Sequence, residues 1–235
     1  MTAPHAPHAP QRHELHVVRV FCGPDGQGGN PLGVIRDGAA VPDHAARRAL
    51  AAELGFSETV FVDDADSGRL DIHTPSVRLP FAGHPLVGTA WLLRHLGRPV
   101  DVLRPSAGAV PVTYDGADVV WVRGRPEWSA GRRTEEYPTP ADVDALDGPP
   151  PGEGPLYVWA WQDRDAGTVR ARYFPRRGDG IVEDEATGAA ALTLTHELGR
   201  ALDIRQGTGS RIRTRPYPDG TIALGGSVRP VPPRP

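Results

Sequence analysis

The sequence predicts an α/β (α+β) chain of two pseudo-symmetric domains, each a curved, mostly antiparallel, barrel-like sheet around a central apolar helix, with an active site in the cleft between them. Three observations predict it. Pro85–Gly124 and Ala186–Gly226 read as one unit written twice: a helix, a strand, a Gly-bearing turn, a strand, an Asp-Gly step and a strand. The helix of each unit is apolar around most of its circumference, the signature of a helix buried on most sides. Each helix closes on Leu-Gly-Arg, with Gly97 and Gly199 placed for a left-handed C-cap.

The elements follow in order. Residues 1–13, with the run H-A-P-H-A-P, read as a disordered tail; the histidines at 5, 8, 13 and 16 are not taken as a metal site, and no metal is expected. L-H-V-V-R-V-F, from Leu15 to Phe21, reads as a strand. The Gly- and Pro-rich stretch from Gly23 to Pro31 reads as a turn into a second strand, Leu32 to Ile35. A polar helix runs from Pro42 to Leu54. The first apolar helix carries Leu86, Val87, Ala90, Trp91, Leu92, Leu93 and Leu96; its counterpart carries Ala189 to Leu192, Leu194 and Leu198. Asp115-Gly116 and Asp219-Gly220 suit two-residue type I′ hairpins. The domains are set at 14–122 and 123–228, leaving 229–235 as a C-terminal tail.

Composition narrows the chemistry. All 26 basic residues are arginine, so no lysine is present to form a Schiff base with pyridoxal phosphate or a carbonyl substrate. Cys22 is the single cysteine, which excludes an internal disulfide and any mechanism of two opposed thiols; it reads as a small buried residue at a strand end. A net charge of −3 offers no basic field for nucleic acid, and no apolar run reaches membrane-span length. The expectation is a cytoplasmic protein acting on a small molecule, without nucleic-acid or membrane partners.

In a duplicated fold, equivalent positions face each other across the pseudo-twofold axis. The segments before the two apolar helices, P-F-A-G-H-P and I-V-E-D-E-A-T-G, should therefore line the cleft. Each helix start offers unpaired N–H groups and a positive dipole end, suited to a substrate carboxylate, and the small residues Gly83, Gly88, Thr187, Gly188 and Ala189 let an anion approach the backbone. His84 stands at one mouth; Asp184, between Glu183 and Glu185, stands at the other. Glu58, in L-G-F-S-E-T-V-F-V, has apolar neighbours that would raise its pKa toward that of a general acid/base. Spacing alone favours the other reading, a loop glutamate satisfied by Ser57, Thr59 or a backbone amide.

Together, G-G-N-P at Gly28 to Pro31, S-E-T-V-F at Ser57 to Phe61, F-A-G-H-P at Phe81 to Pro85, E-D-x-A-T-G at Glu183 to Gly188 and G-G-S-V at Gly225 to Val228 resemble the phenazine-biosynthesis PhzF-like isomerase family, which has the diaminopimelate epimerase fold. The resemblance implies a homodimer that needs no cofactor and acts on a small unsaturated cyclic carboxylic acid in secondary-metabolite biosynthesis. It makes Glu58 the residue that moves a carbon-bound proton, with His84 and Asp184 as its catalytic partners orienting the substrate. Asn30, Gly83, Thr187, Gly188 and Ala189 become the substrate-binding residues. Two departures stand out: Glu185 replaces the family's usual proline and Ala189 its serine. The stretch from Arg125 to Gly180 is also short, which implies a wider cleft. A proton-triggered cyclisation with His84 or Asp184 as the acid, and a non-catalytic acid-binding protein, remain as alternatives.

Overall fold

One order of elements, a strand, a helix, two strands, a helix and three strands, occurs twice in the computed structural model, which describes residues 13–129 and 131–232; the first half adds one strand before it and one within it. The first half contains β1 (Leu15–Cys22), β2 (Gly28–Ile35), α1 (His44–Leu54), β3 (Thr59–Asp64), β4 (Arg69–His73), β5 (Arg78–Leu79), α2 (Gly83–His95), β6 (Val102–Leu103), β7 (Val110–Asp115) and β8 (Val119–Gly124). The second contains β9 (Arg133–Glu136), α3 (Pro140–Asp144), β10 (Leu156–Asp163), β11 (Thr168–Phe174), α4 (Gly188–Leu198), β12 (Leu202–Gln206), β13 (Ser210–Pro216) and β14 (Ile222–Pro230). The two-domain, mixed α/β expectation holds. The repeat also begins further upstream than the sequence reveals: β2 and β3 are parallel with α1 between them, as β9 and β10 are parallel with α3 between them.

The sheet runs β5-β4-β3-β2-β1-β14-β13-β12-β11-β10-β9, with β8 branching from β14, β7 from β8 and β6 from β7. Most pairs are antiparallel. The last strand joins the halves, because β14 pairs with β13, with β8 and with β1. Arg229 and Pro230, assigned above to a tail, are therefore strand residues facing Arg19 and Val18. The remainder of the expected N-terminal tail, residues 1–12, and residues 233–235 lie outside the described residues.

Local sequence accounts for most ends. Gly199 adopts φ 63 and its N–H returns to the Thr195 carbonyl; Gly97, one residue past the C-cap Leu96, adopts φ 77 while Arg98 N–H reaches the Leu93 carbonyl. Both hairpins are longer than expected. Asp115 pairs with Val119 across a three-residue loop, and Pro216 with Ile222 across five, so neither Asp-Gly step forms a two-residue turn. In the second, Gly220 N–H bonds Tyr217 O and Tyr217 N–H bonds Thr221 O, a four-residue turn closed by one extra residue. G-G-N-P is likewise the start of β2 rather than part of a turn. Cys22 ends β1 and is buried, as read.

The core gathers around α2 and α4. Leu86, Val87, Ala90, Leu93, Ala190, Leu192 and Leu194 are buried in one cluster with β1, β2, β8 and β13 side chains. Burial of each Leu or Val contributes about 1.5–3 kcal/mol against exposure. Leu96 differs from its expectation: the last turn of α2 emerges, and Leu96 is exposed.

The helices meet at their starts. A Cβ added to Gly83 would lie 2.8 Å from Gly188 Cα, and one added to Gly188 would lie 2.8 Å from Gly83 Cα. Both distances are below any normal carbon contact, so two glycines are what let the helix mouths touch. Gly83→Ala is expected to lower stability by about 1–3 kcal/mol through overpacking, with Leu224 also displaced. Chemical denaturation measures this, and a change within error would show that the mouths are loosely packed.

Candidate active site

The two surface helices are capped and the two central ones are not. Asp43 accepts from Ala45 N–H at α1, and Thr139 with Asp142 forms a capping box at α3. At α2 the N-cap is Ala82, which has no capping group. At α4 the N-cap Thr187 spends its hydroxyl elsewhere. Buried helix starts without side-chain caps leave N–H groups and positive dipole ends for something else to satisfy.

What converges there is polar and deeply buried. Glu58 at the start of β3 is 5 % exposed, His84 in the first turn of α2 is 2 % and Asp184 before α4 is 5 %. His84 Nε2 lies 3.4 Å from Glu58 Oε2, and neither atom has a directed hydrogen bond. With Gly83, Gly188 and Ala189 they line a cavity of about 20 Å³, room for roughly one water. The wider cleft expected from the short 125–180 stretch is not found among the described residues; the walls close on one another.

Asp184 and Glu58 are held differently. Asp184 Oδ1 accepts from Asn30 Nδ2 at 2.6 Å, and Oδ2 accepts from the Thr187 hydroxyl at 2.6 Å. Asn30 also donates to the Ala186 carbonyl and accepts from the Ser57 hydroxyl, linking β2, the Glu58 loop and the second helix mouth. Both Asp184 oxygens are thus engaged. Glu58 Oε1 faces Arg177 Nη1 at 3.8 Å, while Oε2 points at the cavity side of His84 without a bond.

Burial sets the protonation pattern. Desolvation raises the Glu58 carboxyl, opposed by the nearby Arg177 charge. Desolvation and then the Glu58 charge push Asp184 up to about 6. Desolvation lowers His84 to about 4, despite the attraction of Asp184, so the ring is neutral at physiological pH and its contact with Glu58 is not an ion pair. Because the two carboxyls interact, their titration belongs to the pair.

Of the five expected binding residues four line the cavity, and Asn30 and Thr187 are engaged by other groups. Gly83, Gly188 and Ala189 line the cavity. Thr187 also lines it, yet its N–H donates to Gln206 Oε1, so that amide is not free for a ligand. Asn30 does not line the cavity and acts as a brace behind Asp184. Glu185 neither faces the ligand space nor ends in solvent: it accepts from Thr208 N–H, the Thr208 hydroxyl and the Ser210 hydroxyl. Glu183 pairs with Arg172.

Sequence reasoning missed four residues here. Arg132, Tyr173 and Arg177 line the cavity, and Gln206 bonds the Asp184 carbonyl, the Thr187 hydroxyl and the Tyr157 hydroxyl. Arginine is so frequent in this chain that no pattern singles out two of them.

A second polar cluster has metal-ligand residues: His44, Asp71 and His73 place ligand atoms within 4.8 Å of one another. Asp71 also receives Arg47 Nη1 at 3.2 Å and Arg78 Nε at 2.6 Å. Although burial opposes it, bonds from His73 and Arg78 hold Asp71 well below the usual carboxylate range. Two guanidiniums on that carboxylate oppose a cation, and the cluster reads as a buried ionic hub.

The comparisons fit this geometry. Residues 18–123 match the family model described as phenazine biosynthesis-like protein, a stretch that includes Asn30, Glu58 and His84 but not Asp184. An uncharacterized isomerase of Mesorhizobium japonicum is 41 % identical over 100 residues, 38 % of this chain and 33 % of its own length. The trans-2,3-dihydro-3-hydroxyanthranilate isomerase of Pseudomonas aeruginosa is 36 % identical over 114 residues, 45 % of this chain and 39 % of its own length. The matched part thus spans between a third and two fifths of these curated relatives. A Clostridium difficile structure described as a phenazine biosynthesis PhzC/PhzF protein superposes with a TM-score of 0.73 at 18 % identity, covering 94 % of this chain and 98 % of that one, a likeness of fold alone. Among the described residues no helix is long and apolar enough to cross a membrane.

The burial of Glu58 carries a stability consequence. Its folded-state pKa is raised, so the protonated form is the one that folding favours; the associated stability is full below the unfolded value near 4.5 and is lost as pH rises through the folded value. Glu58→Gln, which cannot ionise, is expected to be more stable than wild type at pH 8 by about 0.5–2 kcal/mol, the scale of other relieved functional-site compromises. The difference should vanish at pH 4. Paired unfolding curves at the two pH values test this, and equal stability at pH 8 would refute the burial argument.

Proposed function

We propose that the chain, which resembles the PhzF-like proteins in the motifs of its first half and in the fold of the whole, is an isomerase moving a carbon-bound proton within a small unsaturated cyclic carboxylic acid. The observation that carries this reading is Glu58 Oε2: a buried, unbonded carboxylate oxygen, raised in pKa, placed where two uncapped helix starts converge.

The chemistry asks little else of the protein. The substrate carboxylate rests against the free N–H groups at Gly83, His84, Gly188 and Ala189, which hold it by charge-assisted bonds and the two dipoles. Ionised Glu58 takes a proton from a carbon beside the conjugated system. The C–H electron pair delocalises toward the held carboxylate, where the same donors stabilise the growing charge. Glu58, now protonated, returns the proton to another carbon on the same face, and the double bonds have shifted with atoms and charge conserved. Neutral His84, with Nε2 beside Oε2, orients the transfer without competing for the proton. A ring acid enters only when the walls part from the 20 Å³ they enclose here, and their reclosure over it excludes water and keeps the proton on Glu58 between the two steps.

Asp184 fits the acid of the cyclisation alternative less well, since both its oxygens already accept bonds. A role in specialised metabolism, a homodimer and independence from cofactors belong to this proposal and follow the resemblance.

The test uses a set of cyclic diene carboxylic acids, including trans-2,3-dihydro-3-hydroxyanthranilate, incubated with the protein in D₂O and followed by NMR. Wild type is expected to shift a double bond and to incorporate solvent deuterium; Glu58→Gln should slow turnover by about 10²–10⁴-fold. Because the working form of Glu58 is ionised, kcat/KM should rise with pH through a limb above the ordinary glutamate value. Unchanged turnover in Glu58→Gln would remove Glu58 from the mechanism. Acid binding with neither isomerisation nor exchange would favour the non-catalytic alternative.

A further inference from the structure

Next to the closed cavity lies a hollow of about 560 Å³ against the flank of α4, with Ser129, Thr193 and His196 in its wall. Arg132 lines both spaces. Its Nη1 donates to the Ser129 carbonyl at 2.9 Å, while its Nε is buried without a partner.

The charges around it are already matched to other groups. Arg177, the other cationic side chain in the cavity wall, pairs with Asp179 at 2.9 Å. The acids of the outer hollow are paired: Asp219 with Arg123 at 2.8 Å, and Glu127 with Arg125, which stands in the same wall, at 3.9 Å. Among the described residues Arg132 makes no salt bridge. Its charge is felt by the Glu58 carboxyl and the Tyr173 hydroxyl across the cavity wall, yet among the described residues no carboxylate closes on it. A guanidinium at the boundary between a closed cavity and a ligand-sized hollow, with a buried donor left unbonded, is suited to meet an anion.

We propose that Arg132 is a specificity-determining residue that binds a second carboxylate of the substrate, so that the protein selects diacids whose far end projects into the 560 Å³ hollow. This rests on the reading that the helix mouths take the first carboxylate. The first group fixes the reacting carbons beside Glu58. The second is reached only by a ligand long enough to pass Arg132, which separates this chain's substrate from an acid carrying a single carboxylate.

The experiment measures binding of benzoate, phthalate, isophthalate and terephthalate to the full chain by titration calorimetry. Benzoate reports on the helix mouths; the three diacids add a second carboxylate at increasing separation. In wild type at least one diacid is expected to bind tenfold or more tighter than benzoate. In Arg132→Gln and Arg132→Met, both neutral and both checked for folding by circular dichroism, the ratio of diacid to benzoate affinity should fall below threefold. Benzoate bound with no diacid preferred in wild type overturns the role of Arg132 alone, as does a preference that survives in either folded variant. Failure of all four acids to bind overturns the helix-mouth reading together with it.

Discussion

The contact between Gly83 and Gly188 is the constraint on which the rest depends. Two helix starts can approach this closely only if neither carries a Cβ, and only if neither is closed by a capping side chain. Given that contact, the partial positive charges of both helices fall on one point, and the chain segments leading into them must pass beside it. His84 follows Gly83 within α2, and Asp184 precedes Gly188 by one extended turn. The duplication therefore does more than repeat a shape: it brings two positive helix ends to one place, where the proposed function sets the substrate carboxylate. The apolar circumference of α2 and α4 follows, since a helix whose start lies at the centre of the molecule has no solvent-facing side until its last turn, where Leu96 and His196 emerge.

Convergence of positive ends explains why acids are tolerated so deep. Burial drives Glu58 and Asp184 toward their neutral forms, and the Glu58 charge makes Asp184 harder still to ionise. The protein separates their tasks by bonding. Asn30 and Thr187 saturate Asp184, making it part of the wall, whereas Glu58 retains one oxygen that no side chain bonds. His84 stays neutral because a cation there would be desolvated as well, and a neutral ring leaves the proton inventory to the carboxyls. The free oxygen is thus a cost the fold carries at one position.

The sequence made the duplicated helices, their glycine caps and the residues at their mouths legible, because periodicity and local caps are written in neighbouring residues. It hid the upstream half of the repeat. The units from β2 to β4 and from β9 to β11 share topology without sharing letters, and the short parallel pairs have no local signature. The hairpin lengths were misread because an Asp-Gly step marks a turn but does not count the residues around it. The Thr187 amide was read as free because its partner, Gln206, lies on β12 and reaches back across the fold. Arg132 and Arg177 were invisible for a compositional reason: where every basic residue is arginine, identity carries no information, and only position does.

The three acids at 183–185 show how position resolves what composition could not. In an extended segment successive side chains leave on different sides. Glu183 goes outward to Arg172, Asp184 inward to Asn30 and Thr187, and Glu185 across to the turn joining β12 and β13. A cluster that reads as concentrated negative charge is therefore three separate attachments. The Glu185 attachment continues further, since Ser210, which donates to it, also accepts from Gly29 N–H at the start of β2. The departure from proline at 185 thus replaces a stiff backbone with a side-chain tie that reaches from the second helix mouth to the first half of the chain. With alanine at 189 contributing no hydroxyl, the donors of this mouth are its backbone amides, and the Glu185 tie behind them is what fixes their direction.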